Sequence, residues 1–430
     1  MGAPETVDRI IGIIFFLCYA YQLFYIPVVW LRRPKKHAAE KQNDFAVLIS
    51  ARNEQAVIGD LIASLRSQTY PAERIHIFVA ADNCTDNTAD IAREAGAVVY
   101  ERSNNAEIGK GYALGFLMEN IRRDYSDGFD GYFVFDADNI LSPDFIERMN
   151  RTFSDGHDIV TSYRNSKNYG DNWISAGYAL WYLRDSRYLN QARYLLGTSC
   201  VVFGTGFLFS RAVAEKMGPW PYHTLIEDVE FSAQQILNGQ RIAFCPDAIL
   251  YDEQPTSFAQ SWRQRSRWCS GALQVFTRYG GRLLRGIFRG SFSCYDIAFS
   301  TMPAYILSAA ALVLNVLFAV FAAVRGEALL PVLKSFAGIA LNAYAALFVT
   351  GCITTATEWK LIRTTAIKKV LYAFTFPLFM ATYVPIAISV LFRRVEWKPI
   401  EHRVSAAKLM ARGKEEALPF ELKKEGGTHA

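Results

Sequence analysis

Apolar residues recur along this chain in two kinds of pattern. Long apolar runs, uncharged except for Lys334, cover residues 10–31, 297–324, 329–353 and 370–392. Each is long enough to cross the hydrocarbon of a bilayer. Between the first run and the other three, short apolar stretches alternate with segments of helical period. Residues 44–50, 74–81, 97–101 and 131–136 predict strands. Residues 54–68, 86–95 and 109–122 predict the helices between them. Further on, Ser142, Pro143 and Asp144 predict a helix start with Pro at its first position. Residues 226–238 and 257–279 predict two more helices.

This rhythm predicts an α/β fold, a largely parallel sheet with helices on both faces, inserted between membrane helices. Five segments follow: an anchor (1–36), the α/β domain (37–256), an interfacial segment (257–296), a cluster of spans (297–392) and a basic tail (393–430). Ligands of such sheets bind at the carboxyl ends of the strands. Polar residues gather there. Arg52, Asn53 and Glu54 follow the first strand; Asp82, Asn83 and Asp86 the second; Asp136, Asp138 and Asn139 the fourth. No G-x-G-x-x-G follows the first strand, which argues against a dinucleotide-binding domain.

Charge orients the spans. Glu5 and Asp8 precede the first run, while Arg32, Arg33, Lys35 and Lys36 follow it. Cytoplasmic flanks carry the Lys/Arg excess, so the N-terminus is expected outside and the α/β domain in the cytosol. With no small-residue cleavage site, the run reads as an anchor and not a signal peptide. Four spans are expected, which would put the tail outside despite Arg393, Arg394, Lys398 and Arg403. The alternatives are a re-entrant last segment, broken by Pro377 and Pro385, or a preceding run that is not a full span, and the side of the tail stays open. The net charge of +5 sits near these flanks and suits anionic headgroups better than nucleic acid. The seven cysteines form no C-x-x-C pair and the six histidines no metal-ligand spacing, which excludes a disulfide framework and a zinc site.

Three motifs carry chemistry. Asp136 and Asp138 stand two apart at a strand end, where hard carboxylate oxygens can share Mg²⁺ or Mn²⁺. Glu227 and Asp228 open a helix, where an acid either complements the helix dipole or serves as a general base. Gln264, Arg267 and Trp268 share one helical face, putting an amide, a guanidinium and an indole on a single surface. Tyr178, Trp181 and Tyr182 share another face, for sugar stacking or for plain packing.

In order and spacing these motifs resemble the membrane-integrated family-2 glycosyltransferases, the cellulose, chitin, hyaluronan and poly-N-acetylglucosamine synthases. The family's D, D-x-D, T-E-D and Q-x-x-R-W series stands here as Asp82, Asp136-Ala-Asp138, Ile226-Glu-Asp228 and Gln264-Arg-Ser-Arg267-Trp268. The resemblance implies a GT-A nucleotide-sugar-binding domain and an inverting transfer from a UDP-sugar, with UDP-N-acetylglucosamine or UDP-glucose favoured. It assigns Arg52, Glu54, Asp82, Lys110, Asp136 and Asp138 to the donor, with Asp136 and Asp138 also holding the metal. It assigns Asp228 to acceptor deprotonation. Glu227, Gln264, Arg267 and Trp268 would bind diphosphate and acceptor, and Gly204, Thr205 and Gly206 would line the acceptor entrance. Two positions depart from the pattern: Ile226 replaces the Thr of T-E-D, and the Gly204 segment lacks the Cys of several synthases. A processive polysaccharide synthase with coupled translocation is the leading expectation, and a non-processive glycolipid synthase the alternative.

Overall fold

The computed structural model describes residues 3–33, 41–301, 303–326, 330–393, 395, 402, 404–405, 408–409, 412 and 416–422. Of the basic flanks above, Lys35, Lys36, Arg394, Lys398 and Arg403 lie outside the described residues. Two consecutive helices, α1 (Ala3–Tyr19) and α2 (Tyr21–Leu31), come first. The α/β domain begins with β1 (Phe45–Ala51), α3 (Ile58–Arg66), β2 (Ile75–Asp82), α4 (Thr88–Glu94), β3 (Val98–Arg102), α5 (Lys110–Asp124) and β4 (Gly131–Asp136). It continues through β5 (Ile140–Leu141), α6 (Phe145–Ser154), β6 (Ile159–Ser166) and α7 (Trp173–Arg184). A π-helical turn (Asp185–Asn190) leads into α8 (Gln191–Leu196). Then come β7 (Phe207–Ser210), α9 (Arg211–Met217), α10 (Glu227–Leu237) and β8 (Ile242–Asp252).

The sheet order is β3-β2-β1-β4-β7-β6-β8-β5. The first four strands are parallel, as expected. Beyond β4 the sheet is mixed: β7 runs antiparallel to β4 and β6, and β5 antiparallel to β8. The expectation of a largely parallel sheet therefore holds for one half only. Strand β1 shows why that half was legible. Phe45, Val47 and Ile49 pack on one face and Ala46 and Leu48 on the other. Burial on both faces produces a continuous apolar run.

Two helix starts differ from expectation. The helix expected from residue 54 begins at Ile58, because Asn53 takes a positive φ of 58° and the chain turns before it can coil. The helix after β5 begins at Phe145 with Asp144 at the N-cap position, so Ser142 does not cap it.

After β8 come α11 (Phe258–Phe288), α12 (Phe292–Thr301), α13 (Pro303–Val324), α14 (Leu330–Thr357), α15 (Ala366–Ala381) and α16 (Tyr383–Phe392). Helix α11 runs well past the expected end at residue 279, straight through Gly280 and Gly281. Each glycine costs a helix about 1 kcal/mol. Burial of Val275, Tyr279 and Leu283 against α10 and α12 outweighs that.

By length and composition, three segments among the described residues could cross a membrane: Arg9–Leu31, Leu330–Thr357 and Ala366–Phe392. A shorter apolar helix spans Ala310–Val324. The last segment differs from the others in how it is held. Buried residues make up 39% of an 18-residue apolar window in it, against 6% in the corresponding window of each of the other two. Before it, Tyr163 donates to Glu358 (2.8 Å) and Asn165 to the Leu361 carbonyl (3.1 Å), and in its first turn Lys368 donates to the Gly170 carbonyl (2.9 Å). After it, His402 meets Glu54 and the Val404 amide donates to Glu253 (2.7 Å). Both flanks are thus tied to the α/β domain. At the break between α15 and α16, the buried Arg265 of α11 donates to the Phe379 carbonyl (3.1 Å) and to Thr382 (2.6 Å).

Candidate active site

The carboxyl ends of β1, β2 and β4 open into one cavity of about 1740 Å³. Arg52, Glu54, Asp82, Lys110, Asp136, Asp138, Gly204, Glu227, Asp228, Gln264, Arg267 and Trp268 all line it. The site residues named from sequence therefore converge, with two exceptions. Thr205 and Gly206 do not line the cavity; they sit behind Asp136. The Thr205 hydroxyl accepts from the Asp136 amide (2.9 Å), and a Cβ at Gly206 would collide with Leu250.

The acids at the strand ends are held by cations. Asp82 at the end of β2 accepts from Arg102 (2.8 Å), and both side chains are almost fully buried, at 5% and 7% exposed. Lys110, at the start of α5, donates to Asp136 (2.6 Å) and to the Gly204 carbonyl (2.6 Å), and lies 3.8 Å from Glu227. Gly111 lets α5 come this close, since a Cβ there would strike the Tyr222 carbonyl. Burial opposes the Lys110 charge, but Asp136 and Glu227 outweigh it and raise its pKa. For Asp138 burial likewise raises the carboxyl, yet His402, Lys167 and the Glu253 amide hold it below its ordinary value.

The acid pair of α10 behaves differently. Burial pushes Glu227 up to about 7, with Lys110 opposing and Asp228 adding to the rise. Burial also raises Asp228, against Lys110 and the backbone amides of Val229 and Gly204. The Gly204 N–H points its hydrogen bond at the Asp228 carboxylate. The third acid of the run, Glu230, is structural: it accepts from the His223 and Thr224 amides and from Arg278 and Tyr279 of α11.

Helix α11 brings its motif to this pair by close packing. A Cβ at Gly271 would meet Ile226 at 2.9 Å, so glycine lets α11 settle onto the start of α10. Ile226, at the departure from T-E-D, is buried in that contact. The arginines of the motif have three fates: Arg263 is exposed, Arg265 is buried on Phe379 and Tyr383, and Arg267 faces the cavity. Gln264 Oε1 and Arg267 Nε are buried and have no hydrogen-bond partner. Native proteins rarely leave such atoms unpaired, and each instance calls for a ligand or a water. Trp268 stands edge-on to Tyr178 (5.6 Å) and Tyr182 (6.3 Å). Tyr178 is fully buried and does not line the cavity, so packing is its role; Trp181 and Tyr182 do line it.

A family model described as "Glycosyltransferase like family 2" matches residues 42–271, more than half of the chain. The chain belongs to that family. The glycosyltransferase is 28% identical over 260 residues to a probable glycosyltransferase, YdaM, of Bacillus subtilis, covering 54% of this chain and 56% of that one. It is 26% identical over 289 residues to a beta-monoglucosyldiacylglycerol synthase of Nostoc, covering 65% and 60%. It is 23% identical over 245 residues to a poly-beta-1,6-N-acetyl-D-glucosamine synthase of Staphylococcus epidermidis, covering 56% and 58%. The chain thus spans about half to three-fifths of these relatives. The fold matches a mannosyltransferase of Pyrobaculum calidifontis, solved with GDP-Man and Mn²⁺, at a TM-score of 0.55 and 16% identity, over 90% of this chain and 99% of that one. The domain is a GT-A-type α/β fold.

Among the described residues, no group of three or more His, Cys, Asp or Glu is placed to hold a metal alone. Asp136 and Asp138 nevertheless fit a divalent cation shared with a diphosphate. Each gives one oxygen to a protein donor, Lys110 and the Glu253 amide respectively. Each has a second oxygen, and both side chains line the cavity. Two carboxylates plus phosphate oxygens and water form the hard-oxygen set of Mg²⁺ or Mn²⁺.

Sequence reasoning missed several residues that line this cavity. Arg164 of β6 pairs with Asp252 of β8, donates to the Phe203 carbonyl (2.8 Å) and lies 3.7 Å over the Tyr182 ring. Burial raises Asp252 to about 6, against Arg164. A signal existed: an arginine late in an apolar strand is rarely buried without a partner. His402 Nδ1 lies 3.0 Å from both Glu54 oxygens. Burial opposes its protonation, but Asp138 and Glu54 prevail and push it up to about 10. Nothing local in the sequence marks that residue.

Proposed function

We propose that this enzyme transfers a hexose from a UDP-sugar, UDP-N-acetylglucosamine or UDP-glucose, to an acceptor hydroxyl with inversion. The observation that carries this reading is the convergence of Asp136, Asp138, Asp228, Gln264, Arg267 and Trp268 on one cavity. The Arg267 guanidinium and Gln264 amide suit a diphosphate and a sugar hydroxyl. Arg52, Glu54 and Asp82 hold the nucleoside end, with Arg102 fixing Asp82. Lys110 and Arg267 meet the diphosphate, where charge builds as the bond to the sugar breaks. A Mg²⁺ or Mn²⁺ on Asp136 and Asp138 would neutralise more of that charge.

The acceptor oxygen attacks the anomeric carbon from the face opposite the diphosphate, and its proton passes to Asp228. The anomeric C–O bond breaks and UDP leaves. One displacement inverts the configuration. Asp228 is suited to the task because burial raises its proton affinity while the Gly204 amide fixes its direction.

The membrane arrangement supports a cytosolic site. With α1–α2, α13 and α14 as crossings and the last apolar segment, tied at both flanks to the α/β domain, not crossing, the N-terminus is outside and the chain returns to the catalytic side. That placement also keeps the basic tail inside.

Two acceptors remain consistent with the motifs. The Staphylococcus epidermidis relative's name indicates a polymer and the Nostoc relative's a glycolipid. Turnover in membrane vesicles with radiolabelled UDP-glucose, UDP-N-acetylglucosamine, UDP-galactose and GDP-mannose tests the reading. Release of UDP, inverted product and loss of turnover in EDTA with recovery on Mg²⁺ or Mn²⁺ are expected. Turnover at full rate in EDTA would overturn the metal role of Asp136 and Asp138.

A further inference from the structure

The cavity does not end at the catalytic residues. It runs on between α1, α2, α14 and α15, where Phe16, Leu23, Ile339, Ala343, Leu347 and Met380 form its walls. Its volume of about 1740 Å³ exceeds the roughly 300–1,000 Å³ of an ordinary small-molecule site. A nucleotide sugar does not fill it.

Three polar side chains on these walls bond within their own helices, while Arg9, Lys334 and Asn342 also line the space among the aliphatic residues. Asn315 donates to the Ala311 carbonyl (2.9 Å), Thr350 to the Ala346 carbonyl (2.9 Å) and Thr354 to the Thr350 carbonyl (2.9 Å), each on its own helix. A glycan in transit has several hydroxyls per sugar, and an amide or hydroxyl buried without a partner costs about 1–3 kcal/mol in proteins. Walls of this kind oppose that passage. Acyl chains face no such penalty. The exposed Phe16 of α1 and Leu23 of α2, at 60% and 61%, leave an apolar flank toward the bilayer.

We propose that this apolar extension binds one membrane lipid whose polar end carries a free, uncharged hydroxyl, and presents that hydroxyl to Asp228. The inference rests on the glycosyltransfer reading above and names its acceptor. Continuity of the cavity joins the two: Asp228, Gln264 and Trp268 line one end and the aliphatic walls the other. Asp228 selects the headgroup. A general base serves an alcohol, which must lose its proton, and not a phosphate already ionised. The bond formed is between the lipid oxygen and the anomeric carbon. The bond broken is between that carbon and the diphosphate, and the proton leaves with Asp228.

The full chain in nanodiscs, given the four radiolabelled donors, tests this with three acceptor conditions: 1,2-dioleoylglycerol, no added acceptor, and soluble cello- or chito-oligosaccharides. The expected product is a single sugar on dioleoylglycerol, recovered in the organic phase and identified by mass spectrometry. Ala343→Trp, which narrows the extension, raises KM for dioleoylglycerol at least tenfold. Ala346→Phe, one turn nearer the domain, does the same, while UDP affinity in both variants stays within twofold and so reports intact folding. A water-soluble ladder formed without dioleoylglycerol, or an unchanged lipid KM in both variants, overturns the lipid inference and leaves glycosyltransfer standing. Absence of nucleotide release from every donor, lipid present, overturns both.

Discussion

The two ends of the cavity are built on opposite terms. At the donor end the acids are already paired: Asp82 with Arg102, and Asp136 with Lys110. At the acceptor end the motif atoms Gln264 Oε1 and Arg267 Nε are buried without partners, and Glu227 and Asp228 are held by few donors in a poorly solvated place. The donor end is therefore part of the folded structure. The acceptor end holds polar groups at a cost to stability, where bound diphosphate and acceptor would satisfy them. One end is preorganised by the protein; the other is completed by substrate.

That contrast predicts different responses to losing an arginine. Arg102→Ala leaves the Asp82 carboxylate buried and unpaired. Breaking a buried pair in this way costs about 3–5 kcal/mol. A sharp fall in thermal stability, with weaker UDP binding, is expected by calorimetry. Arg267→Ala removes a group whose Nε has no partner, so the melting temperature should barely move. Turnover should fall instead, by roughly 10²–10³-fold, the range for loss of one donor to developing charge. Equal destabilisation by the two substitutions would break the comparison.

A smaller effect comes from Glu227. Its carboxyl is raised from 4.5 to about 7, so the folded state holds this proton more tightly than the unfolded state. The stability tied to the protonated form is fully present below about pH 4.5 and is lost as pH rises through about 7. Glu227→Gln should then melt higher than the parent protein at pH 8 in the absence of donor, with the gap narrowing toward pH 5. Turnover of the parent should decline as pH falls through 7, as the acid pair takes up a proton. A gap that widens toward acid pH would reverse the assignment.

Legibility in the sequence followed the same division. Strands β1, β2 and β4 were readable because burial on both faces makes their apolar runs continuous. The D-x-D and Q-x-x-R-W residues were readable because each motif sits on one local element. Strand β3 was read at residues 97–101 and runs Val98–Arg102, whereas β5 to β8 were not read. Strand β5 has two residues, and β8 carries Pro246 and Asp247 opposite the register shift at Ser162 and Tyr163 of β6. Arg102, Arg164, Asp252 and His402 reach the site from distant parts of the chain, so no spacing rule finds them. The last apolar segment has the composition of a span. What sets it apart is the attachment of its flanks through Glu358, Lys368 and His402, which hydropathy does not register.

The most direct test of the account is the Asp228→Asn variant, measured for both UDP binding and sugar transfer. Removing a general base typically lowers the rate by about 10²–10⁴-fold. The account predicts a loss of that size with UDP affinity within about threefold of the parent. Transfer at the parent rate, or a loss of UDP binding as large as the loss of transfer, would contradict it.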